Sequence, residues 1–221
     1  MTRRGLIAAS VLALTIVCAN AAQAGVTISN SPSGGSIASF GSPDSQTYGE
    51  VFTAPASGTL TSFTLYLNSG VGSLEGGVGT WNGTPSFQFG AGSPVSLYES
   101  SPVPSSNGSM AAYTFSPNVS VTAGDQYVAF LSVFGDPNAN TTTSMPLGNA
   151  ASGLDYFVWN NTSSPYGNPS WNYFFDGGNA LFSATIGDVP EPATWAMMLV
   201  GFFGTGFMMR KLRHKEAAAT A

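Results

Sequence analysis

Between Gly25 and Val189 the chain contains no lysine, arginine, histidine or cysteine. No disulfide can staple such a segment, so its fold must rest on core packing and backbone hydrogen bonds. About 165 residues suffice for that, since domains near this size bury roughly 70% of their unfolded surface. The same absence removes whole classes of chemistry. There is no imidazole or thiolate for a zinc site, no Ser-His or Cys-His pair, and no lysine for a Schiff base. Without cations the segment cannot neutralise phosphates, which excludes nucleic acid as a partner.

The charge that remains is unevenly placed. Of 221 residues only 8% are charged and the net charge is -5. Every formal charge from Asp44 to Asp188 is negative, whereas the basic residues Arg3, Arg4, Arg210, Lys211, Arg213 and Lys215 lie at the two ends.

Each end reads as a targeting segment. Arg3 and Arg4 form a positive start, Gly5 to Val17 an apolar run, and Ala22-Gln23-Ala24 places small residues at both positions that define a cleavage site. This is a secretory signal peptide over residues 1–24, cut by signal peptidase before Gly25 after passage through the general secretion machinery. Val17 is too large to precede a lipoprotein cysteine, so Cys18 reads as filler of the apolar run.

At the other end, Pro190-Glu191-Pro192 is followed by an uncharged stretch from Ala193 to Met209 and by a basic cluster up to Lys215. As a helix, residues 193–209 would be about 25 Å long at 1.5 Å per residue, near the lower limit for crossing a bilayer. Trp195 suits one interface, and Arg210, Lys211, Arg213 and Lys215 suit the cytoplasmic side. Residues 216–221 would form a short cytoplasmic tail. The expected topology is a single-pass inner-membrane intermediate with its domain in the periplasm, destined for the cell surface or the medium. Pro190 and Pro192 leave an extended, accessible peptide just before the membrane.

Pro190-Glu191-Pro192, Trp195-Ala196-Met197-Met198-Leu199, Gly201-Phe202, Gly204, Gly206 and the basic terminus closely resemble a PEP-CTERM sorting signal. They are most similar to its Pro-Glu-Pro-x-x-Trp-Ala variety from Gram-negative bacteria. The same kind of tail is also described as an ice-binding protein C-terminal domain. The resemblance covers about the last thirty residues, 188–215 being the sorting segment proper. It implies an exosortase, a membrane cysteine protease, as the partner that recognises Pro190 to Pro192 and removes the anchor. It further implies an association with exopolysaccharide and biofilm surfaces.

Residues 25–187 read as one all-β domain, a jelly-roll-like sandwich. Thr59 to Asn68 alternates, with Phe63, Leu65 and Leu67 facing in and Ser62, Thr64 and Tyr66 facing out. Asp125 to Phe134 is more continuously apolar, as a central strand covered on both faces should be. Further strands are expected at 48–54, 95–99, 112–115, 154–159 and 180–186. Turn pairs such as Asn82-Gly83, Asn107-Gly108 and Ala123-Gly124, with Asp176-Gly177-Gly178, punctuate them. The phrases from Phe52 to Leu60 and from Tyr113 to Val128 resemble strands of secreted bacterial sandwich domains.

No catalytic residue stands out. Glu50, Glu75, Glu99, Asp125, Asp155 and Asp176 could serve a carboxylate-based glycan hydrolase, which needs only two acids across a sugar. Most border turns or strand ends, where acids act as solvated caps. No cofactor is expected. Asp136 to Asn140 begins like a calcium loop, but Thr141 replaces the required glycine and Leu147 the bidentate glutamate, so structural calcium has no supporting motif. The candidate glycan-stacking residues are Trp81, Trp159 and Trp171, in Gly/Asn-rich surroundings that also hold Tyr98, Tyr156, Tyr166 and Tyr173. An ice-binding face would need a repeated threonine array, and Thr141-Thr142-Thr143 is a single cluster. The expected function is therefore a non-enzymatic surface or matrix protein that contacts exopolysaccharide, with a glycan hydrolase or a purely structural protein as alternatives.

Overall fold

The alternation read in residues 59–68 becomes a strand that feeds every second side chain into a sandwich core. In this computed structural model the described residues are 25–83, 92–136, 141–161, 164–166, 171–173, 178–187 and 201–204. Among them, residues 25–187 are built from strands, with a helical turn at 201–204.

One sheet has five strands. Its path runs from β1 (Val26–Ser29) to β15 (Phe182–Gly187), β4 (Gly58–Leu67) and β8 (Ala111–Phe115), and β9 (Val119–Val121) also pairs with β4. The second sheet runs from β13 (Asn172–Tyr173) through β12 (Leu154–Asn160), β3 (Thr47–Thr53), β10 (Gln126–Ser132) and β5 (Ser73–Thr80) to β6 (Val95–Glu99). There β7 (Val103–Pro104) adds to β5. A smaller sheet is formed by β14 (Asn179–Ala180), β11 (Thr142–Gly148) and β2 (Pro32–Gly41). All named strand pairs are antiparallel.

The interior lies between the two large sheets. Phe63, Leu65 and Leu67 of β4, with Phe182 and Ile186 of β15, face Phe52 of β3, Leu131 of β10 and Phe157 of β12. Phe52 and Phe182 meet across the gap at 5.6 Å. Leu60 also points inward, because a bulge makes Thr61 an extra residue between Leu60 and Ser62 and resets the alternation. β10 is central, as its unbroken apolar run predicts, paired with β3 and β5 and buried on both faces.

The expected strands form, except that the single strand expected at 180–186 divides at Leu181 into β14 and β15, which belong to different sheets. β2, β5 and β11, which lie in Gly-, Ser- or Thr-rich sequence, are additions. β5 shows why its glycines are not breakers. A Cβ on Gly76 would lie 2.5 Å from the Phe115 ring, and one on Gly77 2.1 Å from Phe130 Cζ. The glycines are the space into which two phenyl rings pack, one on each face of the strand.

Candidate functional site

The two outer faces of the sandwich differ in what covers them. On the seven-stranded sheet, Val51, Val128, Phe130, Tyr156 and Val158 point away from the main core yet are buried, because Trp81 and Trp171 close over them. The indoles meet edge to face at 5.8 Å. Trp81 Nε1–H donates to Tyr156 Oη at 2.7 Å, and Trp171 Nε1–H donates to the Pro165 carbonyl at 2.7 Å. Each indole thus has its polar group satisfied inside the protein, as a buried tryptophan requires.

This corrects two of the three expected glycan-stacking residues. Trp81 is 5% exposed and Trp171 0%, so neither offers a ring face to a sugar. Trp159 is half-buried and packs on the main core. Tyr156 is buried, and burial pushes its phenol pKa up despite the Trp81 hydrogen bond. Tyr166 is pushed up for the same reason; its hydroxyl donates to the Tyr98 carbonyl at 2.6 Å. Gly/Asn-rich surroundings suggested exposed loops, but Trp81 and Trp171 themselves pack onto the sheet.

Among the described residues the five-stranded sheet has no such cover, and most of its outer positions are serine or threonine. Register aligns Ser29 with Ser183, Ser183 with Thr64, and Thr64 with Thr114, which makes one row across four strands. A second row aligns Thr27, Thr185 and Ser62, and a third pairs Thr59 with Ser120. Thr27, Ser29, Thr114 and Ser120 are exposed and the others half-buried. Thr64 and Thr114 share a hydrogen bond of 2.8 Å, and Thr27 and Thr185 one of 3.4 Å. No strand of this sheet contains a charged residue. Sequence reading missed the array because β1 and β15 are some 150 residues from each other.

The acids divide by environment. Glu50 lies on the inner face of β3 and is fully buried. Its carboxyl accepts a hydrogen bond from the Asn179 side-chain amide and another from the Ala180 N–H at 2.8 Å. Burial, which outweighs these bonds, raises its pKa to about 8. Glu75 and Asp136 line a cleft of about 260 Å³ with Pro102, Ser132 and Phe134. Burial, then the Glu99 charge, raises the Glu75 pKa. Asp136 accepts the Ser73 N–H at 2.7 Å. Asp155 holds Thr53 and Gln126 at the surface. Asp125 sits in the turn after Gly124, with its N–H on the Thr122 carbonyl, and Asp176 lies outside the described residues. Among the described residues no three His, Cys, Asp or Glu side chains are grouped so as to hold a metal.

The two chain ends leave the domain together. Val26 pairs with Ile186, and a Cβ on Gly25 would lie 2.9 Å from the Ile186 carbonyl oxygen. The expected cleavage residues Ala22 and Ala24 lie outside the described residues, as do Pro190, Glu191, Pro192, Trp195, Arg210, Lys211, Arg213 and Lys215. Of the expected membrane helix only 201–204 is described, and it is helical; no helix among the described residues is long and apolar enough to cross a membrane.

Directly after β15, residues 188–213 match the family model of the PEP-CTERM protein-sorting motif. No curated protein matches the chain, and neither does any solved structure. The motif and the strands before it define an exported protein with an all-β domain ahead of a sorting tail. The chain carries a PEP-CTERM sorting motif, which implies an exosortase as its processing partner and export to the cell envelope or surface.

Proposed function

We propose that this protein is a non-enzymatic component of the exopolysaccharide layer. After signal-peptide removal it is held by one membrane span over residues 193–209, and exosortase cleavage near Pro192 then delivers the sandwich to the matrix. The observation that carries this reading is the sorting motif placed immediately behind the last strand of a cation-free β-sandwich. A domain without basic groups does not bind to anionic lipid or nucleic acid by charge, which suits a protein meant to leave the membrane. The test is fractionation of the native host. The protein should co-purify with extracellular polysaccharide and shift to the membrane fraction when the exosortase is deleted. Equal partition in both strains would contradict the proposal.

A second reading is favoured by one feature, the cleft that Glu75 and Asp136 share. A carboxylate hydrolase would use Glu75, whose pKa burial raises, with Asp136 as the second acid across a sugar. It predicts soluble product from host polysaccharide, abolished by Glu75→Gln; intact polysaccharide after prolonged incubation removes it.

A further inference from the structure

The three sheets of the domain meet at one short stretch, residues 178–182. The Gly178 carbonyl accepts the Phe157 N–H of β12 at 3.3 Å, while Asn179 and Ala180 pair with Gly148 and Leu147 of β11. Just after β1, the Asn30 side chain donates to the Ala180 carbonyl at 2.7 Å and accepts the Phe182 N–H at 2.9 Å. Glu50 fastens this junction to β3. One of its carboxyl oxygens meets the Asn179 amide and the other the Ala180 N–H. Glu50 and Ala180 are 0% exposed and Asn179 3%.

A negative charge at this point has nothing to offset it. No lysine, arginine or histidine exists between Gly25 and Val189, so no side chain of the domain can pair with a Glu50 carboxylate. From β12, Asp155 adds a repelling charge. Tyr48 of β3 and Tyr127 of β10 share the inner face and cannot supply a positive one. Strands β2, β11, β14 and β15 contain no titratable residue, and Asp176 lies outside the described residues. Complete burial with only two neutral donors favours the acid form. That form keeps one oxygen for the Ala180 N–H, and its O–H can donate to the Asn179 amide oxygen once that amide is turned. The ionised form must stay buried without a counter-charge or reach water.

The two sides of the junction are unequally held. β3 is laddered on both edges, by β10 and β12, so the Glu50 backbone is fixed. β14 pairs only with β11, over two residues. Local opening falls on the more weakly tied element. We propose that the Glu50 carboxyl is a proton-operated latch: protonated, it holds β14 against β3 and closes the junction of the three sheets; ionised, it lets β14 and its partner β11 part from β3.

Hydrogen exchange read by mass spectrometry tests the latch, using the full-length chain in neutral detergent near pH 6 and near pH 9. Each rate is divided by that of the unfolded chain at the same pH, so that base catalysis cancels. The Glu50 pKa, raised to about 8 by burial, lies between the two conditions. Protection of peptides covering 178–182 and 142–148 should fall by roughly tenfold or more from the lower pH to the higher, because opening releases a proton across that range. At the higher pH these peptides should also exchange well ahead of β4 and β10, which marks a partial opening. Glu50→Gln keeps an oxygen for Ala180 and an N–H for the Asn179 oxygen, and should stay protected at both pH values. Asp155→Asn and Asp176→Asn should still open. Unchanged wild-type protection would overturn the latch, as would a Glu50→Gln response as large as that of the wild type or a response abolished by either aspartate variant. Exchange of all strands at one common level near pH 9 would show that Glu50 ionises only with whole-domain unfolding, and would overturn the assignment to β14.

Discussion

The outer face of the seven-stranded sheet and that of the five-stranded sheet are made of similar strands and have opposite fates. Val51, Val128, Phe130, Tyr156 and Val158 make the first face apolar, and Trp81 and Trp171 seal it. Serine and threonine make the second face polar but uncharged, and nothing among the described residues covers it. Burying a large aromatic side chain is worth several kcal/mol, whereas burying an unpaired hydroxyl costs 1–3 kcal/mol or so. Trp81 and Trp171 therefore close onto the first face, and among the described residues the second stays open. In a domain with no disulfide, the sealed face is a second core.

The comparison can be broken most directly at Trp171. Trp171→Ala is expected to cost about 3–5 kcal/mol in urea unfolding of the full-length chain, the range for emptying a buried tryptophan site. A loss below 1 kcal/mol or so would mean that the indole cover is decorative. Next in size, Gly77→Ala drives a methyl into the Phe130 ring and is expected to cost about 1–3 kcal/mol. Thermal unfolding unchanged in that variant would show that the ring is not packed on the strand.

The interior between the faces carries its own test. With Glu50 raised to about 8 in the fold and near 4.5 when unfolded, the folded state holds the proton more tightly between those values. Stability should be fullest below about pH 4.5 and fall as pH rises toward 8, by at most ~1.4 kcal/mol per pH unit, then level off. Glu50→Gln should flatten that slope, and a parallel profile in the variant would place the titration elsewhere. The smallest effect belongs to the open face. Thr64→Val should alter stability by no more than about 0.5–1 kcal/mol, the worth of one exposed cross-strand pair. A cost like that of Trp171→Ala would make Thr64 structural.

What could be read in advance follows the range of the forces involved. Strands β4 and β10 and the turns at Gly108 and Gly124 were legible because alternation, apolar runs and positive-φ glycines are local. β5 was not, because Gly76 and Gly77 answer to Phe115 and Phe130 from other strands. The tryptophans were misplaced for a related reason: a Gly/Asn-rich context marks a loop and does not say what the loop covers. The hydroxyl rows exist only in the register of β1, β15, β4 and β8, which no sequence window contains. The sorting motif was legible because it is a pattern in linear sequence, matched over residues 188–213.

The central claim, that the chain is exported and then cut from its anchor, is tested most directly by the intact mass of the protein recovered from the native host's envelope and medium. The account predicts a chain that begins at Gly25 and ends near Pro192. A pool that retains every residue through Ala221 would contradict it.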